Sequence, residues 1–279
     1  MKTAIVLGTF DGLHAGHRAV IENTRNFYSV AVTFIIPPKS VISGQPQLLI
    51  LPQDREKRLT ELGVNRVVMQ NFDDVKDINA YDYLNFLNEN YKPSRMVCGF
   101  NFRFGKNAEG DTTLIDVFCK ENNIEFVCVP PIKKDEEVLS STYLRKLIGD
   151  GNLQEAASQI FGGFSFAAPV IHGDARGRVL GFPTANQEYP NELVKPKFGV
   201  YLSQVQIQGK WYKSITNIGV RPTFKTDTIA CETFIKDFSG DIYGETITTQ
   251  LLKFVREEQK FSSEEQLKIA IANDIKLLD

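Results

Sequence analysis

The 279-residue sequence predicts an α/β doubly wound parallel-sheet domain followed by an antiparallel β-barrel domain with a C-terminal helix. Three observations carry this. Short apolar runs alternate with amphipathic stretches through the first half. β-Branched and aromatic runs, spaced by glycine, proline and asparagine, fill the second half. A serine-led amphipathic stretch ends the chain.

In order, the first half reads as TAIVLG and a helix over 16–27, then VAVTFII and the helix PQDREKRLTELG. RVVMQ precedes a helix over 80–90, RMVCG a helix over 112–122, and IEFVCV is the fifth strand. Five strands separated by helices are the pattern of a parallel sheet with right-handed crossovers. Two helical stretches follow, SSTYLRKLIGDG and NLQEAASQIFGG, the second opened by an asparagine cap and closed by glycines. They end the first domain and place a boundary between 1–160 and 161–279. Beyond it FSFAAPVIHG, GVYLSQVQIQGKWYKSITNIG, IACETFI and TITTQLLKFV read as strands, with QGK as a turn. SSEEQLKIAIANDIKLL is the closing helix, its leucines and isoleucines at helical spacing.

A hydrophobic fraction of 42% supports a sizeable core. The formal charge is −2 and no lysine or arginine cluster forms a continuous basic stripe, so nucleic acid is not the expected main partner. No run approaches the ~18 apolar residues of a membrane span, nor the ~7–15 of a signal-peptide core, which predicts a cytoplasmic chain with no membrane partner. Cys98, Cys119, Cys128 and Cys231 contain no C-x-x-C pair. Neither a disulfide framework nor a thiolate zinc site is indicated, and the thiols are expected reduced and mostly buried.

The turn GTFDGLHAGH, residues 8–17, follows the first strand, a favoured ligand position in an open parallel sheet. Gly8 and Gly12 allow backbone to approach a ligand, and Gly16 allows close packing at a helix start whose partial positive charge suits phosphate. His14 and His17 add donors that could follow charge on a transferring phosphoryl group. The turn matches neither the Walker loop nor the dinucleotide fingerprint. A purely structural turn stays open on this stretch alone; half a metal site is disfavoured because no further ligand stands at suitable spacing.

GTFDGLHAGH resembles the nucleotidylyltransferase signature G-x-F-D-G-x-H-x-G-H. With GFNFRFGKNAEGD at 99–111 and LSSTYLRKLIGDG at 139–151 it resembles the adenylyltransferase module of bacterial bifunctional riboflavin kinase/FMN adenylyltransferases, the prokaryotic FAD synthetases. GRVLGFPTAN at 177–186, FGVY at 198–201, NIGVRPTF at 217–224 and ETFIKDFSGDIYGE at 232–245 resemble the riboflavin kinase module, in family order. The resemblance implies that Gly8, Phe10, His14, Gly16 and His17 bind ATP phosphates, with the two histidines stabilising charge at the α-phosphate while the FMN phosphate attacks and pyrophosphate leaves. It implies that Asn101 and Phe102 help hold the reacting nucleotides. Phe102 and Phe104 offer flat faces to a ring ligand, with core packing as the other reading of each. Ser141 and Thr142 stand where helix-opening hydroxyls could donate to phosphate, one turn before Arg145; an ordinary capped helix is the alternative.

In the second half, an extended GFPTAN would project Thr184 and Asn186 to one face. Two neutral oxygens could hold a magnesium that takes its other ligands from water and nucleotide phosphates, and the resemblance assigns them this role with MgATP. By the same resemblance Glu232 accepts the proton of the riboflavin 5′-hydroxyl. Gly177 and Arg178 lie in a turn flanking the nucleotide, which could also be a plain hairpin with solvated charges. Two departures stand out. Phe234 occupies a position where many relatives have histidine, and Ala168 one where many have glycine. The expected activity is phosphorylation of riboflavin to FMN and adenylylation of FMN to FAD, both with MgATP; the alternative is a riboflavin kinase alone, with an inactive nucleotide-binding first half.

Overall fold

A computed structural model describes residues 1–279 apart from 45–46, 135, 174–176, 178–179 and 223–226. The described residues form two compact units, Met1–Leu144 and Arg145–Asp279.

The first unit is built on five strands, β1 (Thr3–Leu7), β2 (Tyr28–Phe34), β3 (Arg66–Gln70), β4 (Arg95–Gly99) and β5 (Glu125–Val129). All pair in parallel, in the order β3-β2-β1-β4-β5. The central strand β1 is buried from Ala4 to Leu7, so its apolar run is continuous rather than alternating. Helices α1 (Ala15–Glu22), α3 (Pro52–Glu61), α5 (Ala80–Tyr91) and α6 (Thr112–Glu121) lie between the strands, as the sequence pattern predicts. In α5 the buried residues Ala80, Tyr83, Leu84 and Leu87 recur at helical spacing. They pack with Ile5, Leu7, Met96 and Cys98 of the sheet and with Ile115, Phe118 and Cys119 of α6. Asn79 caps α5 by accepting from Asp82 N, and Asp111 caps α6 by accepting from Thr113 N and Leu114 N.

Helix α1 stops at Glu22, short of the expected residue 27. The Asn23 Nδ2 donates to Ala19 O at 2.8 Å and Thr24 Oγ1 to Ile21 O at 2.7 Å, while Asn26 takes φ +72°, so polar side chains capture the last carbonyls and turn the chain. Nothing in the hydrophobic pattern marks α2 (Pro38–Ser43), α4 (Phe72–Val75), the single 3₁₀ turn Lys106–Ala108 or the hairpin β6 (Lys133–Lys134)/β7 (Glu137–Val138). Each is too short to show a period.

The second unit carries β8 (Phe164–Pro169), β9 (Thr184–Glu188), β10 (Gly199–Ile207), β11 (Lys210–Pro222), β12 (Asp227–Ile235) and β13 (Thr246–Arg256) in one antiparallel sheet ordered β8-β13-β10-β11-β12-β9. The β10–β11 hairpin turns through Gln208 and Gly209, both at positive φ, which matches the right-handed twist of the strands. The sheet curls until its edges meet: Ile171 bridges to Asn186, and Gln187 Nε2 on β9 donates to Ala168 O on β8 at 2.8 Å and to Ile247 O on β13 at 3.1 Å. Ala168, the departure from glycine, sits in register with Ile247 without interrupting the ladder. Inside, Val170, Ala185, Val205, Ile207, Ile235 and Ile247 form an apolar cluster. Beside it runs a buried hydroxyl ladder, Ser214 to Ser203 at 2.7 Å, Ser203 to Thr216 at 2.8 Å and Thr216 to Thr233 at 2.9 Å.

Helix α7 (Ser141–Gly149) spans the division between units, and α8 (Leu153–Gln159) packs on β13. The closing helix α9 (Glu264–Lys276) is capped by Ser263 and tied to β13 by a bidentate pair from Arg256 to Asp274, at 3.1 and 2.7 Å. Cys98, Cys119 and Cys231 are free and buried, and Cys128 is free and exposed. Among the described residues no helix is long and apolar enough to cross a membrane.

Candidate active sites

In the first unit the chain lays β2 and β3 on one side of β1, then β4 and β5 on the other, so the strand order reverses between β1 and β4. Ligands of open parallel sheets bind beyond the strand carboxyl ends at such a switch point. The register Leu7↔Cys98 places the β1–α1 turn and the loop after β4 side by side there.

The β1–α1 turn is held by its own residues. Phe10 is fully buried at φ +50°, its ring edge-on to His17 with centroids 5.5 Å apart, and a Cβ at Gly8 would stand 3.1 Å from that ring. Gly12 takes φ +93°, where a side chain would be strained and its Cβ would meet Leu49 at 2.8 Å. Both glycines thus serve internal packing. Gly16 lies under the His14 ring, where a Cβ would stand only 3.1 Å from Cε1. Asp11, which the motif reading left without a role, is buried; its carboxylate accepts from Leu49 N at 2.8 Å and Ile50 N at 3.2 Å, and its carbonyl accepts from Ser141 Oγ at 2.7 Å.

His14 and His17 stack with ring centroids 3.8 Å apart. The Nδ1 atoms of both are buried with no hydrogen-bond partner among the described residues. Burial and the neighbouring Arg18 hold His14 down at about 4, and burial, His14 and Arg55 hold His17 well below the ordinary imidazole range. Both rings are therefore neutral near pH 7. Arg55, within the charged helix α3, is a fully buried cation beneath the turn. It donates to Phe34 O at 2.5 Å, Ile35 O at 2.6 Å and Thr9 O at 3.4 Å, so it fastens the carboxyl ends of β1 and β2 together. A lone arginine in a charged helix gives no sign of this. Only β2 and the β1 turn converging on it do.

After β4, Asn101 is exposed in a turn, its Oδ1 folded back towards Gly99. Phe102 and Phe104 stack at 5.6 Å, and both contribute to the core cluster. Phe104 also lines an open cavity of about 490 Å³ with Phe34, Phe72, Val75, Tyr83 and Arg103. At the start of α7, Ser140 Oγ accepts from Tyr143 N and acts as the cap, while Ser141 spends its proton on the Asp11 carbonyl. Thr142 is exposed on the first turn, and Arg145 opens the second compact unit.

In the second unit the alternation of β12 turns Cys231, Thr233 and Ile235 inward and leaves Glu232 and Phe234 on the outer face. Glu232 is in register with Asn186 on β9 and Asn217 on β11, and Phe234 with Thr184. Thr184, Asn186 and Glu232 therefore share one face, as the extended reading of GFPTAN predicts. Phe234, the departure from histidine, meets Phe182 edge-on at 6.3 Å. Gly177 bends close over this face, since its Phe182 N to Gly177 O bond is 2.7 Å and a Cβ there would lie 3.2 Å from Thr184 Oγ1. Arg178 lies outside the described residues. No group of three or more histidine, cysteine or acidic side chains that could cage a metal occurs among the described residues.

The FAD synthetase family profile matches residues 1–143 and the riboflavin kinase profile residues 162–279. The bifunctional riboflavin kinase/FMN adenylyltransferase of Listeria monocytogenes is 30% identical over 285 residues, covering 98% of this chain and 90% of that protein. The protein of the same name from Escherichia coli K12 is 32% identical over 283 residues, covering 97% and 90%. A crystal structure described as a macrolide-efflux protein from Streptococcus pneumoniae has a TM-score of 0.89 at 30% identity, over 99% of this chain and 93% of that one. With both modules matched in order along nearly its whole length, the chain belongs to the bifunctional riboflavin kinase/FMN adenylyltransferase family.

Proposed function

We propose that the chain converts riboflavin to FMN on the outer face of β9, β11 and β12, and FMN to FAD at the switch point of the parallel sheet. The observation that carries this reading is that each half gathers its motif residues at one place: the stacked histidines over the β1–α1 turn, and the row of Asn186 and Glu232 with Thr184 beside it. That both family profiles match favours the two-activity reading over a kinase alone.

At the adenylylation site, the stacked, neutral rings of His14 and His17 are assigned to the incoming phosphate, their Nδ1 atoms lying buried in the turn. An anion there raises the proton affinity of both rings, so they can donate to the α-phosphate as charge develops on it. Gly8, Gly16 and the buried Phe10 shape the turn that presents them, and Ser141 ties it to α7. The 490 Å³ cavity, walled by Phe34, Phe72 and Phe104, is suited to the flavin ring, with Phe102 stacked on Phe104. Asn101 is assigned to the reacting nucleotides and Thr142, exposed on the first turn of α7, to phosphate.

At the kinase site, the neutral oxygens of Thr184 and Asn186, with no acidic cage beside them among the described residues, suit a magnesium ion carried in by ATP rather than one resident in the protein. Such an ion supplies charge neutralisation on the transferring phosphoryl group. Glu232 accepts the 5′-hydroxyl proton of riboflavin, while Gly177 and Arg178 are assigned to nucleotide contacts. Free cysteines and small soluble substrates favour a cytoplasmic activity. Purified protein incubated with riboflavin and MgATP is expected to yield FMN and then FAD on chromatography. FMN with no FAD would leave only the kinase.

A further inference from the structure

On the outer face of the second unit the row that includes Glu232 does not end at the residues assigned above. Asn217 is the cross-strand neighbour of Glu232 on β11, so the two side chains stand side by side on the same face. The Asn217 Nδ2 donates to Glu258 Oε1 at 3.0 Å. Glu258 follows β13 and reaches over β11 because Gly219, two residues beyond Asn217 on the same face, has no side chain; a Cβ there would stand 2.1 Å from the Glu258 carboxylate. The order across the sheet is thus Glu258, Asn217, Glu232, Asn186.

We infer that Asn217 is a positioning residue for riboflavin phosphorylation: Glu258 fixes its amide by accepting one N–H, and the other N–H orients the Glu232 carboxylate towards the hydroxyl it deprotonates. An amide nitrogen has two protons, and a carboxylate partner for one of them decides which way the amide lies. Glu258 acts only through Asn217. This rests on the reading of Glu232 as proton acceptor, and the test separates the two.

The measurement is steady-state riboflavin phosphorylation by the full chain, with MgATP binding followed by calorimetry as a check that the second unit is folded. Loss of an orienting partner typically costs about 10- to 100-fold, so Asn217→Ala is expected to lower kcat by that factor with KM for MgATP and riboflavin within about twofold. Glu258→Ala, in the segment after β13 and outside the sheet, is expected to lower kcat less. Glu258→Gln is expected to restore most of that loss, because its carbonyl oxygen still accepts from Asn217. Combined with Asn217→Ala, Glu258→Ala is expected to cost nothing further. Parent kcat in Asn217→Ala with an inactive Glu232→Gln overturns the positioning role alone, as does full additivity of the Asn217 and Glu258 changes. A Glu232→Gln enzyme with more than about a tenth of parent turnover is too active for loss of a general base, worth ~10²–10⁴, and overturns both.

Discussion

His14 and His17 are buried imidazoles whose Nδ1 nitrogens have no bonding partner among the described residues, a costly arrangement for polar groups unless a ligand completes it. Removing one donor aimed at developing charge typically costs ~10²–10³ in rate. His17→Ala is therefore expected to slow FAD formation from supplied FMN by that factor while riboflavin phosphorylation continues and FMN accumulates, as chromatography of the products will report. The same burial makes the histidines a liability in acid. Folded His14 titrates at about 4 against 6.5 for an exposed imidazole, so below 6.5 the unfolded chain takes up a proton that the folded chain refuses. Its stabilising contribution is complete above pH 6.5 and falls away as the pH drops towards 4, by up to about 3 kcal/mol. Urea unfolding of the first unit at pH 7 and pH 5 is expected to show this loss, and His14→Asn to lessen it.

At the level of elements, two features of the barrel have different consequences. The hydroxyl ladder joins β10, β11 and β12 inside the sheet, where each oxygen depends on its neighbours for satisfaction. Thr216→Val is expected to strand the Thr233 hydroxyl, to leave Ser203 with Ser214 alone, and to cost about 1–3 kcal/mol of stability, read from the denaturation midpoint. Thr184, on the outer face of β9, is only half-buried. Thr184→Ala is expected to weaken MgATP binding and lower kinase turnover together, with little change in unfolding and with FAD formation from FMN intact. Equal MgATP affinity in that variant would remove Thr184 from the nucleotide site.

Across the whole molecule, the parallel sheet, the β1–α1 turn, the loop after β4 and the start of α7 all fall within residues 1–144. A fragment of residues 1–160 is expected to fold and adenylylate FMN while leaving riboflavin untouched. Its last helix, α8, packs on β13 in the full chain, so in the fragment it loses that cover and is expected to fray. Circular dichroism showing an unfolded fragment would place the boundary elsewhere.

The five parallel strands, β8 and β10 to β13 of the barrel and the closing helix were legible because each carries a hydrophobic period long enough to read, whereas β9, with the sequence TANQE, carries none. The motif residues were legible as types: histidines after a strand, Thr-x-Asn in an extended run, one acid in ETFI. What they touch was not. That Gly12 meets Leu49, that Asp11 locks the turn through Leu49 and Ile50, and that Arg55 lies buried beneath it depend on segments about 40 residues apart coming together. Asn217 and Glu258 are likewise 41 residues apart in the chain. A local pattern records which face a side chain takes, whereas its partners are chosen by strand order and register, and those are set only when the whole sheet closes.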